Sequence, residues 1–142
     1  MTSAGNIESE IKQTLEILGI TYSWIVVDPD FADTENFCRK YDYPMEKSGN
    51  TILVASKRGE KKYCACLVLA TAKLDVNKKV KELMGVSRLS FANTEETTDL
   101  TGMMIGGVTP IGLPDTLSLF IDSDVMASDY VIIGGGSRSG KI

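Results

Sequence analysis

The stretch from Thr101 to Pro114 combines four glycines and two prolines with six large apolar residues. A solvated linker would carry serine, lysine and glutamate instead, so this composition predicts a rigid loop held against the fold. Gly106 and Gly107 permit positive φ or a close approach of a ligand, and each proline removes one N–H donor. The chemistry that this allows is the presentation of backbone amides; the alternative is a buried structural turn.

The 142 residues include no histidine. This removes Ser-His-Asp and Cys-His catalysis, histidine-ligated zinc and a histidine general base. Cys38, Cys64 and Cys66 are predicted to be reduced thiols, and the last two share one strand face, where two buried small side chains are favoured over a metal site or a nucleophile. Catalysis would therefore use carboxylates, lysine, cysteine, backbone dipoles or groups of the substrate, and no cofactor or metal is required.

The segment from Gly135 to Lys141 matches G-x-x-x-x-G-K after a predicted strand. A P-loop also needs Ser or Thr after the lysine and a following helix, whereas Ile142 comes next here, so a nucleotide site is nearly excluded. A flexible tail, a glycine-rich strand end, or a substrate-facing loop with Arg138 as an anion contact stay open. Lys73 is either a surface lysine or a group in a cleft, and Asn50 is either a turn residue or a ligand contact.

The net charge of −4 argues against a generic nucleic-acid binder. A local basic cluster at Lys57, Arg58, Lys61 and Lys62 is more typical of a solvated hairpin tip. Length and composition predict one soluble domain over residues 1–142. No apolar run is long enough to cross a bilayer and no signal peptide is visible, so we expect a cytoplasmic protein without a membrane or DNA partner.

Periodicity and capping signals predict helices interleaved with strands and hairpins, which favours an α/β (mixed α+β) fold with a mixed, curved sheet over a doubly wound parallel sheet. The predicted helices are Ile7–Leu18, Thr34–Tyr41, Asp75–Gly85 and the helix from Asn93 to Gly102, with a turn at Ser123–Ala127. Asn6 is predicted to cap the first helix and Gly19 to end it. The helix from Asp75 has Val76, Val80, Leu83 and Met84 on one face, and the helix from Asn93 begins with a capping box of Asn93 and Glu96. The predicted strands are Ile20–Val27, Thr51–Ser56, Tyr63–Ala70, Ser87–Phe91, Leu117–Ile121 and Tyr130–Ile133, with a hairpin turn at 57–61.

Seven segments carry a resemblance that covers nearly the whole chain from Ile7 onward. They are Thr51-Ile-Leu-Val, Leu67-Val-Leu-Ala, Leu74-Asp-Val-Asn-Lys-Lys-Val, Leu89-Ser-Phe-Ala, Leu100-Thr-Gly, Gly106-Gly-Val-Thr-Pro-Ile-Gly-Leu-Pro and Gly134-Gly-Gly-Ser-Arg. In this order they resemble the YbaK/prolyl-tRNA-synthetase-associated editing domains, and the Gly-Gly-x-x-Pro-x-Gly loop is the most specific part. The resemblance implies a single α/β domain with a barrel-like mixed sheet surrounded by helices.

The resemblance also implies a free-standing protein that hydrolyses the ester of mischarged tRNA in trans, on substrates like Ala- or Cys-tRNA(Pro). In this family the G-x-x-x-P loop places backbone amides at the scissile carbonyl and limits side-chain size; here it comprises Gly106, Gly107, Val108, Thr109 and Pro110. Oriented amides and a positioned water suit a chain without histidine, because one oxyanion donor is worth roughly 10²–10³ in rate. If these amides are catalytic, Gly107→Val is expected to abolish hydrolysis and leave the fold intact. If the loop is only structural, the same change is expected to lower stability without altering activity.

One position departs from the family pattern. Many editing members carry a lysine directly before the first hairpin strand, where this chain has Asn50. Asn50 is therefore placed in the catalytic site without a charge, Lys47 is not assumed to substitute, and Lys73 and Arg138 are hypotheses for the missing cation. The residues expected to bind substrate are Thr51, Lys73, Ile105, Gly135, Ser137 and Arg138. The implied partners are the tRNA acceptor end and an aminoacyl-tRNA synthetase; the alternative function is a non-catalytic tRNA- or synthetase-binding module.

Overall fold

The computed structural model describes residues 4–57, 61–74 and 76–142. Its helices are α1 (Ala4–Ile17), α2 (Thr34–Tyr41), α3 (Lys81–Met84), α4 (Thr94–Thr101) and α5 (Ser123–Met126), with 3₁₀ turns at Pro29–Phe31 and Met45–Lys47 and a π-helical turn at Val76–Val80 that leads into α3. Its strands are β1 (Ile25–Val26), β2 (Gly49–Ser56), β3 (Tyr63–Leu69), β4 (Leu89–Phe91), β5 (Ser118–Ile121) and β6 (Gly140–Lys141).

Four strands form one mixed sheet in the order β4-β2-β3-β5. β2 pairs antiparallel with β3 over its length and with β4 at one end, whereas β5 runs parallel to β3. The mixed α/β prediction is therefore confirmed. The barrel-like closure is wrong: β6 pairs with β1 in a separate two-stranded sheet, so within the described residues β4 and β5 remain the two edges of an open, curved sheet.

The sheet is covered on both faces. On one face, the buried side chains of Val54, Cys64 and Cys66 pack with Val80 of the π-helical turn. The two cysteine sulfurs are 3.8 Å apart and both thiols are free, which confirms their interpretation as small buried side chains. On the other face Leu67 packs with residues from the C-terminal third of the chain.

α1 packs its apolar stripe against the glycine-rich loop predicted to be held against the fold. Ile7, Ile11 and Leu15 are buried, together with Met103 from the loop. The helix ends before Gly19, whose φ of +70° suits a glycine stop. Val108, Ile111 and Leu113 pack against this cluster and are partly buried, whereas Met104 and Ile105 are exposed. The prediction that the loop is held against another element is therefore confirmed for part of its apolar side chains.

Local signals set the bounds of two further helices. α2 has the predicted bounds. At α4, the Asn93 Oδ1 accepts the Glu96 N–H at 2.8 Å and the Glu96 Oε1 accepts the Asn93 N–H at 3.1 Å, so the predicted capping box is confirmed. Asp75 and Arg58, predicted as a helix cap and as part of a basic hairpin tip, lie outside the described residues.

Several predicted details are wrong. Asn6 lies inside α1 and does not cap it, and Leu18 follows the end of the helix at Ile17 and is exposed. Only Ile25–Val26 of the predicted strand 20–27 pairs, since its partner β6 has two residues. The predicted strand 130–133 is reduced to an isolated bridge at Ile132.

The glycine-rich tail is an ordered part of the fold, so of the alternatives left open for it the flexible tail is wrong and the glycine-rich strand end fits. Gly140–Lys141 forms β6, and Gly134 bridges to Lys141. Residues 134–137 are buried. In the described part of the chain, none of the helices is both long and apolar enough to cross a membrane.

Candidate functional site

A cavity of about 310 Å³ lies between the start of α2, the first half of β2 and the glycine-rich loop. Asp33 and Thr34 line it from α2 and its N-cap, and residues 49–53 line it from β2. Ile105, Gly106 and Val108 contribute from the loop, and Lys141 contributes from β6. The structure therefore brings Asn50 and Thr51 together with three loop residues, as the sequence predicted.

The first half of β2 presents an open strand edge to this cavity. β4 pairs only with Val54–Ser56. Before that point, the Ala92 N–H donates to the Leu53 carbonyl at 2.9 Å and the Gly49 N–H donates to the Ile132 carbonyl at 2.8 Å. Alternate residues of an antiparallel strand point their backbone groups to the same edge, so the N–H and C=O of Thr51 face the cavity side.

Two polar side chains of β2 lie at this edge. The Asn50 Oδ1 accepts a hydrogen bond from the Thr34 Oγ1 at 2.7 Å, which fixes the orientation of the amide. The Thr51 Oγ1 is buried and, among the described residues, has no hydrogen-bond partner. A buried hydroxyl without a partner costs free energy, and a bound ligand can supply that partner.

The loop is held by the tail through hydrogen bonds in both directions. The Met104 N–H donates to the Gly136 carbonyl at 3.1 Å, and the Gly136 N–H donates to the Gly107 carbonyl at 2.6 Å. Within the loop, the Gly107 N–H donates to the Met104 carbonyl at 2.8 Å and closes a turn. Gly106 has a φ of +90°, which a larger residue adopts only with strain.

Three loop amides remain available at the cavity. Across residues 4–57, 61–74 and 76–142, the N–H groups of Ile105, Gly106 and Val108 find no acceptor. All three residues line the cavity. Fixed backbone donors beside a cavity form the kind of arrangement that stabilises an oxyanion.

Three positions of the G-x-x-x-P segment do not line the cavity, namely Gly107, Thr109 and Pro110. The Gly107 N–H is used in the turn, Thr109 is fully buried with its N–H facing the Met103 sulfur at 3.5 Å, and Pro110 has no N–H. A Cβ on Gly107 would overlap the carbonyl oxygen of Ser137. The expectation that Gly107→Val leaves the fold intact is therefore wrong, because the larger side chain displaces the backbone.

Arg138 connects the loop to the segment before α2. Its Nε and Nη2 donate to the Pro29 carbonyl at 3.2 and 2.9 Å, and its Nη1 donates to the Ile105 carbonyl at 3.1 Å and to the Asp33 Oδ1 at 3.2 Å. Arg138 does not line the cavity. These contacts position the loop and leave the guanidinium little capacity for a substrate anion.

The two other tail residues predicted to bind substrate are also away from the cavity. The Ser137 Oγ donates to the Glu8 Oε1 of α1 at 2.6 Å. Gly135 packs so closely that a Cβ would lie 2.7 Å from both the Gly140 carbonyl oxygen and the Trp24 ring. Ser137 therefore joins the tail to α1, and Gly135 packs against β6 and Trp24.

Two lysines considered for the missing charge lie elsewhere. Lys73 is exposed beside a second cavity, between β3, β5 and α3. The Lys47 Nζ binds the Asp129 Oδ1 at 2.7 Å, and this hydrogen bond raises the pKa of Lys47. The structure therefore does not bring either lysine to Asn50.

Lys141 lines the cavity and was not predicted from the sequence as a site residue. Its side chain is 7% exposed and its Nζ lies 5.1 Å from the centre of the Phe37 ring. Burial lowers the pKa of this ammonium group. The signal was present in the G-K pair that ends the P-loop-like segment, but only the pairing of β6 with β1 shows where the lysine lies.

Comparisons with known proteins identify the family and the fold. Residues 28–141 match the model of the family described as the aminoacyl-tRNA editing domain. The fold is similar to that of a hypothetical protein, APE2540 (TM-score 0.81, 22% identity, 93% of this chain and 85% of that one). It is also similar to a protein described as a trans-editing enzyme for prolyl-tRNA synthetase (TM-score 0.79, 22% identity, 99% of this chain and 86% of that one).

Proposed function

The chain belongs to the aminoacyl-tRNA editing domain family, as the sequence resemblance indicated, and on this basis we propose that it hydrolyses the ester bond of a mischarged tRNA. We propose substrates of the Ala- or Cys-tRNA(Pro) kind, taken in trans. The observation that carries the proposal is the group of three unpartnered N–H donors at Ile105, Gly106 and Val108 beside the cavity. The similarity to a trans-editing enzyme for prolyl-tRNA synthetase supports the choice of substrates.

The proposed reaction needs no histidine. Water attacks the ester carbonyl carbon, and the carbonyl oxygen becomes an oxyanion that the N–H groups of Gly106 and Val108 stabilise. The intermediate then expels the ribose oxygen, which takes the proton from the attacking water, with the neighbouring ribose hydroxyl as a relay. One such donor contributes roughly 10²–10³ in rate.

β2 supplies the proposed recognition of the substrate. The edge N–H and C=O of Thr51, its unpartnered Oγ1 and the Asn50 side chain offer both donors and acceptors to the amino group and ribose. Ile105, which is 44% exposed, forms part of the wall that limits the size of the acyl side chain. A pocket of about 310 Å³ suits one small aminoacyl group together with part of the terminal nucleoside.

The alternative is a non-catalytic module that holds a tRNA acceptor end or a synthetase. One observation favours it: Asn50 has no charge, and its Oδ1 is already bound to Thr34. In this case the same cavity would bind the 3′ end without hydrolysis.

Deacylation of a panel of mischarged tRNAs tests the proposal. The panel contains Ala- and Cys-tRNA(Pro), then Ser- and Ala- on other tRNAs, with Pro-tRNA(Pro) as the cognate control. We expect amino acid release well above the rate without protein for at least one mischarged pair. No release from any pair, with tRNA binding still measurable, would establish the binding module instead.

A backbone substitution tests the role of the amides. An ester in place of the Val108 amide, introduced by protein ligation, removes one donor and is expected to lower kcat by about 10²–10³. The matched control is an ester at Thr109, whose N–H faces the Met103 sulfur. Equal rates for the two proteins would contradict the proposed oxyanion site.

A further inference from the structure

We propose that the Lys141 ammonium is the cationic group of this cavity and binds a negatively charged oxygen of the substrate. It would thereby supply the charge that is absent at Asn50. The inference rests on the proposed function, because it assumes that the cavity binds the aminoacylated end of a tRNA.

The backbone of Lys141 is fixed on two sides. It pairs with Ile25 in the sheet of β1 and β6, and it bridges to Gly134. Gly134 in turn lies against the loop, since a Cβ built on it would be 2.5 Å from the Val108 carbonyl oxygen. Lys141 and the loop amides therefore lie on neighbouring backbone segments around one cavity.

Within the described ranges the Lys141 ammonium has no directly bonded counterion, although the Asp33 carboxylate is near enough to act on its pKa. It forms neither a hydrogen bond nor an ion pair there, and its contact is with the ring of Phe37. Asp33, which also lines the cavity, is held by Arg138 at 3.2 Å. A buried, unpaired ammonium group costs stability, and a substrate oxygen would provide the missing partner.

Two other cations considered for this role are engaged with different partners. Lys47 is paired with Asp129, and Arg138 donates to two carbonyls and one carboxylate. Of the residues described as lining the cavity, Lys141 is the one that carries a positive charge. The position of this lysine therefore fits a negatively charged ligand.

Two oxygens of the proposed substrate can carry the negative charge that Lys141 binds. One belongs to the phosphodiester that precedes the terminal adenosine, and the other is the oxyanion that forms from the ester carbonyl during hydrolysis. A contact with the phosphate acts on binding, whereas a contact with the oxyanion acts on turnover.

Lys141→Met removes the charge and keeps a long apolar side chain. The matched control is Lys40→Met, because Lys40 also lies over a phenylalanine ring, Phe31 at 5.2 Å, but is exposed and does not line the cavity. Thermal unfolding checks the fold. We expect Lys141→Met to unfold at or above the wild-type temperature, because an unpaired buried charge is removed.

Binding is measured by calorimetry with a non-hydrolysable analogue, 3′-alanylamino-3′-deoxyadenosine, with and without a 5′-phosphate. Turnover is measured on the mischarged tRNA. If Lys141 binds the phosphate, Lys141→Met weakens binding of the phosphorylated analogue at least tenfold and leaves the other analogue unchanged. If it binds the oxyanion, both analogues keep their affinity and kcat falls at least tenfold.

Either result supports the proposal and identifies the oxygen. Analogue affinities and kcat within twofold of both wild type and Lys40→Met would overturn it. A wild-type protein that binds the analogues without hydrolysing any tRNA would contradict the proposed reaction, and the binding arm would still test Lys141. A wild-type protein that neither binds nor hydrolyses would overturn both proposals.

Discussion

Replacing Arg138 by alanine separates two roles that the sequence left open for this residue. The structure shows Arg138 bound to the carbonyls of Pro29 and Ile105 and to the Asp33 carboxylate. In Arg138→Ala these two carbonyls lose their charged donor, and the loop loses its connection to the segment before α2. The change is therefore expected to act on stability and on loop position together.

The magnitude follows from the contacts. A hydrogen bond to a charged group contributes about 1.5–3 kcal/mol, but the Arg138 side chain is 27% exposed, so water replaces part of each contact. We take roughly 1 kcal/mol for the hydrogen bonding of Arg138 to each carbonyl and nothing for its ion pair with the partly exposed Asp33. The free energy of unfolding is therefore expected to fall by about 2 kcal/mol. With an unfolding entropy of about 0.3 kcal/mol/K for this length, Tm falls by about 7 °C.

Calorimetric unfolding and steady-state deacylation provide the measurements. Because the Ile105 carbonyl is released, we expect kcat to fall about tenfold with little change in KM. The control is Arg39→Ala, which removes an exposed ion pair with Glu35 and is expected to lower Tm by less than about 2 °C. An unchanged Tm with a raised KM would refute the role of Arg138 in holding the loop and would favour its role as an anion contact.

Three further substitutions test separate parts of the structure. Gly107→Ala places a methyl group against the Ser137 carbonyl and is expected to lower the unfolding free energy by about 2 kcal/mol in urea; an unchanged midpoint would contradict this packing. Thr51→Val removes an unpartnered buried hydroxyl, so the unfolding free energy should rise by about 1 kcal/mol while KM for the tRNA increases; a lower Tm would contradict the unpaired state. The pKa of Glu96 lies below its ordinary 4.5, first because its carboxylate accepts the Asn93 N–H, so the ionised carboxylate stabilises the fold at neutral pH and this contribution is lost as the pH falls below 4.5. The Tm of the wild type should therefore drop more steeply on acidification than that of Glu96→Gln, and parallel curves would refute this stabilisation.

The parts of the fold that depend on local signals could be predicted from the sequence. The capping box of Asn93 and Glu96 lies within one helical turn, and its residue types alone determine the start of α4. The β2–β3 hairpin has strand composition on both sides of a short connection. In the site, Asn50, Thr51 and the loop residues that face the cavity were also predicted.

The missing parts depend on tertiary partners. The composition of Ile20–Val27 favours a strand, but the length of β1 is set by the two residues of β6. The sequence does not show whether the Gly107 N–H is used within the loop. A guanidinium donates equally well to carbonyls and to anions, so residue type could not determine the role of Arg138. The G-K pair shows a lysine at position 141, but its place in the cavity has no local signal, because the cavity is formed by segments distant in sequence.

The tail that packs against the loop is synthesised after the main sheet, and this affects when the cavity can form. A ribosome releases β2, β3 and α4 long before it reaches Arg138 and Lys141, and domains begin to fold from the N-terminal side. A nascent chain that stops at Ser137 therefore carries most of the buried core. It lacks the hydrogen bond from Arg138 to the Ile105 carbonyl and the Lys141 ammonium group at the cavity. The site is completed by residues that are made after the main sheet, so a chain that stops before Arg138 would present no assembled site to the charged tRNAs around the ribosome.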